Sequence, residues 1–222
     1  MKSQFPPDLL ERIERCGVIA VLVIDDAAHA RPLAEALLAG GIDAMELTLR
    51  TPAAIDALRA IRQEVPEMLA GMGTVLTPGQ VKQVAEAGAA FAVAPGLNPR
   101  VVQCAQGLDL PFAPGVATPS DIEAAVELGC RELKFFPAEP SGGMKYLASM
   151  KAPYAHLGLQ FIPLGGLNAQ NMTTYLADPA VPALGGSWIA SRAAIQEEDW
   201  TTITARAAEA RQIIDNSRKG GA

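Results

Sequence analysis

Short apolar runs rich in β-branched residues alternate along the whole chain with Ala-rich stretches whose apolar positions recur at helical spacing. GVIAVLVI, from Gly17, reads as a strand, and a helix follows over about 27–38, ended by Gly40 and Gly41. IDAMELTL, from Ile42, reads as the next strand. Thr51 and Pro52 then offer an N-cap and a first-turn proline for a helix to about residue 65, stopped by Pro66. MLAGMG, FAVA, PFAPGV, RELKFF, LQFIPL and PALGGS, from Met68, Phe91, Pro111, Arg131, Leu159 and Pro182, continue the strand series. Helices are predicted after Thr77-Pro78, Asn98-Pro99 and Thr118-Pro119, near 144–151, after Asn168, and as a long amphipathic tail over about 199–216. One further helix, over 7–15, precedes the first strand.

Eight β-then-α units without a break in composition imply a parallel sheet. In 222 residues they fit one (β/α)8 TIM barrel with an additional N-terminal helix, a single domain over 1–222 at the short end of the usual size range. The rival, an open doubly wound sheet, usually carries a GxGxxG turn after an early strand, and the chain has none.

The bulk properties narrow the partners. Half the residues are hydrophobic and 19% are charged, with a formal net charge of -6. An acidic balance argues against a nucleic-acid surface but leaves room for a local basic site that takes a small anion. No apolar run reaches the ~20 residues of a membrane helix, and the charged N-terminus does not read as a signal peptide. Three cysteines without a CxxC pair read as reduced thiols in a cytoplasmic protein.

In a barrel the chemistry collects at the C-terminal ends of the strands. Of the lysines, Lys2, Lys82, Lys145, Lys151 and Lys219 fall in helices, loops or the tail, whereas Lys134 sits inside the apolar strand ELKFFP. Strand alternation puts Lys134 on one face with Phe136. Burial disfavours the ammonium, and the neutral amine is a nucleophile for a ketone. Two readings stand at this point: a Schiff-base lysine, or a buried ion pair with Glu46 or Glu132. In MELTLR, Glu46, Thr48 and Arg50 share a face. Glu46 could shuttle protons beside Lys134, and Arg50 could hold a carboxylate through two parallel hydrogen bonds. An internal Glu–Arg pair that only fills space is the alternative.

Gly165-Gly166 and Gly185-Gly186 follow strands seven and eight, where barrels often bind phosphate on backbone N–H groups near helix starts. Plain turns are the alternative. The two histidines, His29 and His156, lie away from strand ends and show no HxH or HExxH spacing, so no metal site is expected.

LTLRT, GMGTVLTP, APGLNP, PGVATPSD, ELKFFPAE, PLGGLN and GGSW occur in that order from Leu47 to Trp188. Together they resemble the 2-keto-3-deoxy-6-phosphogluconate aldolases, a family named jointly with 4-hydroxy-2-oxoglutarate aldolase. The resemblance implies a class I aldolase on a (β/α)8 barrel, usually a trimer, that needs no cofactor or metal and acts on a phosphorylated keto acid. It makes Lys134 the Schiff-base lysine and Glu46 the general acid/base, acting through water. Arg50 and Thr74 would bind the pyruvate carboxylate, Pro95 and Phe136 would shape the pocket, and Gly166, Gly186 and Ser187 would contact the phosphate. One position departs from the gluconate-specific pattern PTGG: Leu164 stands where the family has threonine, a residue associated with stereoselectivity. The galactonate-configured aldolases, with an apolar residue there, are therefore the second reading. A barrel that binds or isomerises phosphorylated ligands without aldol chemistry is a third, and it would have no need of a buried neutral lysine.

Overall fold

The computed structural model describes residues 3–219. Nine strands run in chain order: β1 (Val18–Leu22), β2 (Ala44–Thr48), β3 (Leu69–Gly73), β4 (Ala92–Val93), β5 (Phe112–Ala113), β6 (Gly115–Val116), β7 (Glu132–Phe135), β8 (Gln160–Pro163) and β9 (Leu184–Gly186). Ten α-helices are interleaved with them: α1 (Pro7–Cys16), α2 (Ala30–Ala39), α3 (Ala54–Glu64), α4 (Pro78–Glu86), α5 (Pro99–Gln106), α6 (Pro119–Glu127), α7 (Gly143–Lys151), α8 (Met172–Leu176), α9 (Arg192–Gln196) and α10 (Trp200–Lys219). Every strand pair is parallel, as helical crossovers require. The fold is α/β, with parallel strands forming a half-barrel. Six strands pair in the order β5-β4-β3-β2-β1-β9, and three pair as β6-β7-β8.

The predicted strand PFAPGV is split. Pro114 separates β5 from β6, because proline brings no N–H to the ladder. On the other side, a single parallel bridge between Leu164 and Gly185 links the end of β8 to β9. The central strands are buried on both faces: all five residues of β2 and all five of β3 are buried.

Local sequence explains most helix starts. Thr77 and Thr118 each accept from the backbone three residues on, and Gln80 and Asp121 reach back to close capping boxes. Asn98 accepts from Arg100 to open α5. The Thr51-Pro52 expectation is corrected. Helix α3 begins at Ala54 without a side-chain cap, because the Thr51 hydroxyl donates instead to the Ile24 carbonyl. The helix predicted after Asn168 is also displaced. Asn168 accepts from Gln170 and Asn171 in a turn, and the five-residue α8 starts only at Met172. The short α9, capped by Ser191, carries too few residues to show a period and was not foreseen. Among the described residues no helix is long and apolar enough to cross a membrane.

Candidate active site

The central feature is a buried pair contributed by two strands that are not neighbours. Lys134 on β7 and Glu46 on β2 are almost fully enclosed, at 5% and 2% exposure. Lys134 Nζ donates to Glu46 Oε1 at 3.0 Å and to Oε2 at 3.4 Å. Nζ also lies 5.5 Å from the centre of the Phe136 ring, whose face attracts the cation. Of the two carboxylates offered by the sequence, the structure therefore pairs Lys134 with Glu46. Glu132 accepts instead from the Ser3 hydroxyl at 2.7 Å. Lys82 and Lys145 are exposed, and Lys151 is paired with Asp178 at 3.0 Å. Lys2 and the side chain of Lys219 lie outside the described residues.

Room for the Glu46 carboxylate comes from β3. A Cβ built on Gly73 would lie 1.8 Å from Glu46 Oε1, so glycine at this strand position is a steric requirement of the site. Further along β2, Thr48 donates to the Leu22 carbonyl at 2.8 Å and accepts from Arg50 Nε at 3.1 Å. Thr74, just past β3, has φ of 61°, a left-handed conformation that costs a β-branched residue free energy and is found mainly where function requires it.

Lys134 and Glu46 open into a cleft of about 200 Å³. Of the residues singled out in the sequence, Arg50, Thr74, Pro95, Phe136, Leu164 and Ser187 line this same cleft. Gly166 and Gly186 do not; their neighbours Gly165 and Gly185 do. The reason is packing. Gly166, at φ +81°, abuts Glu139, with a built Cβ 2.7 Å from Glu139 Cβ, and Gly186 lies under the Trp188 ring. Val21 and Thr48 also line the cleft. Thr48 shares the Glu46 face in the sequence pattern, but Val21 belongs to an unbroken apolar run that shows no facing. Its only signal is pairing: it lies opposite Glu46 in the β1–β2 register.

The turn after β8 is fixed through its carbonyls. Ala138 N donates to Leu164 O at 2.7 Å, Glu139 N to Gly165 O at 3.0 Å, and Asn171 Nδ2 to Gly166 O at 3.1 Å. Buried Tyr175 donates its hydroxyl to Glu139 Oε1 and so holds the backing segment in place. With its carbonyls committed to protein donors, such a turn is suited to offering N–H groups to an anion.

Other reactive groups stand apart from the cleft. Burial pushes the Cys16 thiol up to about 11 and Cys130 up to about 12, which keeps both protonated and poorly nucleophilic. All three cysteines are free. His29 faces Glu198 at 3.4 Å, and His156 is exposed.

An amine and a carboxylate in contact at the carboxyl ends of parallel strands, with an arginine at the rim, is the layout of an α/β enzyme that works on carbonyl compounds bearing acid groups. The sequence comparisons narrow that class. A family model described as KDPG and KHG aldolase matches residues 9–206, and the chain belongs to that family. It is 43% identical over 206 residues to the 2-dehydro-3-deoxy-phosphogluconate aldolase of Treponema pallidum, covering 93% of this chain and 97% of that one. It is 43% identical over 193 residues to the KHG/KDPG aldolase of Escherichia coli K12, covering 87% and 90%. Among solved structures it resembles the KDPG aldolase of Legionella pneumophila, with pyruvate captured at low pH as a covalent carbinolamine intermediate. That match has a TM-score of 0.85 and 40% identity, and covers 90% of this chain and 96% of the other.

Proposed function

We propose that this protein is a class I aldolase. It cleaves 2-keto-3-deoxy-6-phosphogluconate to pyruvate and glyceraldehyde 3-phosphate through a Schiff base on Lys134, and it also accepts 4-hydroxy-2-oxoglutarate. The observation that carries the reading is the buried contact between Lys134 Nζ and Glu46 at 3.0 Å, inside the cleft. A carboxylate in direct contact can take the ammonium proton and free the amine to attack.

Glu46 carries one proton at a time, first that of Lys134 and then that of the C4 hydroxyl. Glu46 takes the proton from Lys134, and Nζ attacks the C2 ketone; a proton passes from the nitrogen to the oxygen to give the neutral carbinolamine. Glu46, now protonated, returns the proton to the departing hydroxyl, which leaves as water and gives the iminium. The Glu46 carboxylate, directly or through a water, then removes the C4 hydroxyl proton as the C3–C4 bond breaks. The aldehyde departs and the bonding electrons pass into the iminium as an enamine. Glu46 protonates C3, and water hydrolyses the iminium to pyruvate and free Lys134.

In this reading Arg50 and Thr74 take the pyruvate carboxylate, while Pro95 and Phe136 wall the reacting carbons. The phosphate meets the glycine turns at Gly166 and Gly186 with Ser187, and Gly165 and Gly185 supply the lining backbone. The reading extends to one closed (β/α)8 barrel over 1–222 in a single domain. Two features support closure: β5 and β6 are one residue apart, and β8 bridges to β9. It also extends to a homotrimer, as the family resemblance implies and sedimentation equilibrium would test, and to the cytoplasm, the compartment that three free thiols suit.

Leu164 favours a second reading of the substrate. It lies on the cleft wall, with its side chain across Gly185, and offers no hydrogen bond to a hydroxyl. The galactonate-configured substrate, or relaxed selectivity between the two, follows from an apolar wall there.

The test is reduction with borohydride in the presence of pyruvate. One reduced three-carbon adduct on the Lys134 peptide is expected by mass spectrometry. No adduct, or an adduct at Lys145, overturns the reading and leaves a barrel that binds phosphorylated ligands without aldol chemistry.

A further inference from the structure

We propose that Thr48 is a positioning residue that aims the Arg50 guanidinium at the substrate carboxylate. The proposal rests on the reading of Arg50 as that carboxylate's partner, and it assigns a role to a side chain that the aldol steps do not use.

Thr48 is the last residue of β2 and is buried, at 4% exposure, whereas Arg50 is exposed at the rim of the cleft. A hydroxyl has one proton and two lone pairs. The Thr48 proton is committed to the Leu22 carbonyl at the end of β1, 2.8 Å away. What Thr48 can then present to Arg50 is an acceptor, and it receives Nε–H at 3.1 Å. The polarity of the chain is fixed from one end: a strand carbonyl orients a hydroxyl, and the hydroxyl orients a guanidinium. The backbone adds a second tie, since Arg50 N donates to Thr48 O at 2.8 Å and turns the chain sharply where the strand stops.

A guanidinium is planar, so a fixed Nε–H direction sets the plane of the whole group and the direction of its two terminal nitrogens. Those nitrogens form no ion pair among the described residues, and they remain available as an end-on fork for a carboxylate. Arginine on an exposed rim would otherwise sample many rotamers, and ordering it would weaken binding. Threonine suits the task better than serine, because its β-branch holds χ1 in the strand.

The experiment is a double-mutant cycle with Thr48→Val, which keeps the shape and removes the hydroxyl, and Arg50→Ala. KM for the keto acid and the half-saturating pyruvate concentration in borohydride trapping are measured beside kcat. Thr48→Val is expected to raise both concentrations roughly tenfold, with kcat changed less than about threefold, the scale of one hydrogen bond to a charged group. Thr48→Ser should recover most of the loss. On the Arg50→Ala background, Thr48→Val should add nothing, because the two act as one unit.

If Thr48→Val leaves KM unchanged while Arg50→Ala raises it, the positioning role is overturned and the reading of Arg50 stands. If Arg50→Ala itself leaves KM unchanged, the reading of Arg50 fails and takes the proposal with it. Additive effects would mean that Thr48 touches substrate directly, which also overturns the proposal. Thr48→Ala replaces the valine variant in the cycle if valine is not tolerated by the fold, with the same expected and overturning results.

Discussion

Gly73→Ala tests the proposed role of the Glu46 carboxylate by moving it without altering its chemistry. Gly73 lies in regular strand backbone, so alanine brings no conformational penalty of the left-handed kind. Its methyl would meet Glu46 Oε1 at 1.8 Å, Cδ at 2.5 Å and Cγ at 2.8 Å. An ordinary carbon–oxygen contact is about 3.3 Å, so the carboxylate must retreat by roughly 1.5 Å or β3 must shift. Either movement breaks the 3.0 Å contact with Lys134 Nζ. A misplacement of about 1 Å at a reacting group costs on the order of 100-fold, and complete loss of a general acid/base costs ~10² to 10⁴-fold. Gly73→Ala should therefore lower kcat by roughly 100-fold or more, approaching the Glu46→Gln variant, while borohydride in excess pyruvate still traps Lys134, only more slowly. Overpacking of this kind destabilises by about 1–3 kcal/mol, so a thermal melt must show a folded protein at the assay temperature. A folded Gly73→Ala enzyme with kcat within about threefold of the parent would refute the claim that catalysis depends on where this carboxylate sits.

Leu164→Thr should move the ratio of kcat/KM toward the gluconate configuration, because a threonine hydroxyl can bond a substrate hydroxyl and leucine cannot. An unchanged ratio with both diastereomers would mean that Leu164 does not read the substrate. Thr74→Gly should hold or raise the melting temperature, since glycine adopts φ near 61° without strain. It should also lower kcat/KM about tenfold through loss of one hydroxyl contact; retained activity would make Thr74 a turn residue only. Burial pushes the Glu132 carboxyl above its ordinary range, against the opposing pull of the Ser3 hydrogen bond. The folded state then holds the proton more tightly than the unfolded chain. Glu132 thus favours folding at pH below the unfolded carboxylate's titration, and that contribution is lost as pH rises through the folded one. Glu132→Gln should raise the melting temperature at pH 8 and lose the gain toward pH 4, and an equal shift at both pH values would contradict the assignment.

What could be read from the sequence is what local chemistry writes into it. Thr77, Thr118 and Asn98 announce helix starts because their caps need only the next few residues. Lys134 is conspicuous because a charge inside an apolar strand has no solvated alternative. Thr51 misled because its hydroxyl bonds a carbonyl 27 residues back in the chain, a competition invisible to local pattern. The glycine pairs fall beside the cleft, but the sequence did not give which member of each pair lines it. Glycine has no side chain to alternate, so only packing against Glu139 and Trp188 decides which member of each pair meets the cleft. Val21 was hidden for the related reason that strands buried on both faces lose the period of two.

The two halves of the buried pair hang from different ladders: Glu46 from the six-stranded sheet and Lys134 from the three-stranded one. Few backbone ties cross between the ladders: Gly115 N donates to Gly96 O at 3.2 Å on one side, and the Leu164–Gly185 bridge joins them on the other. The 3.0 Å contact is thus a gauge of alignment across the seam rather than of either sheet's integrity. Turnover should respond to forces that slide or part the sheets, such as mild denaturant or pressure, well before far-ultraviolet dichroism records any loss of strands or helices. An engineer seeking a more heat-tolerant catalyst would accordingly start by fastening the joins at Pro114 and at Leu164–Gly185.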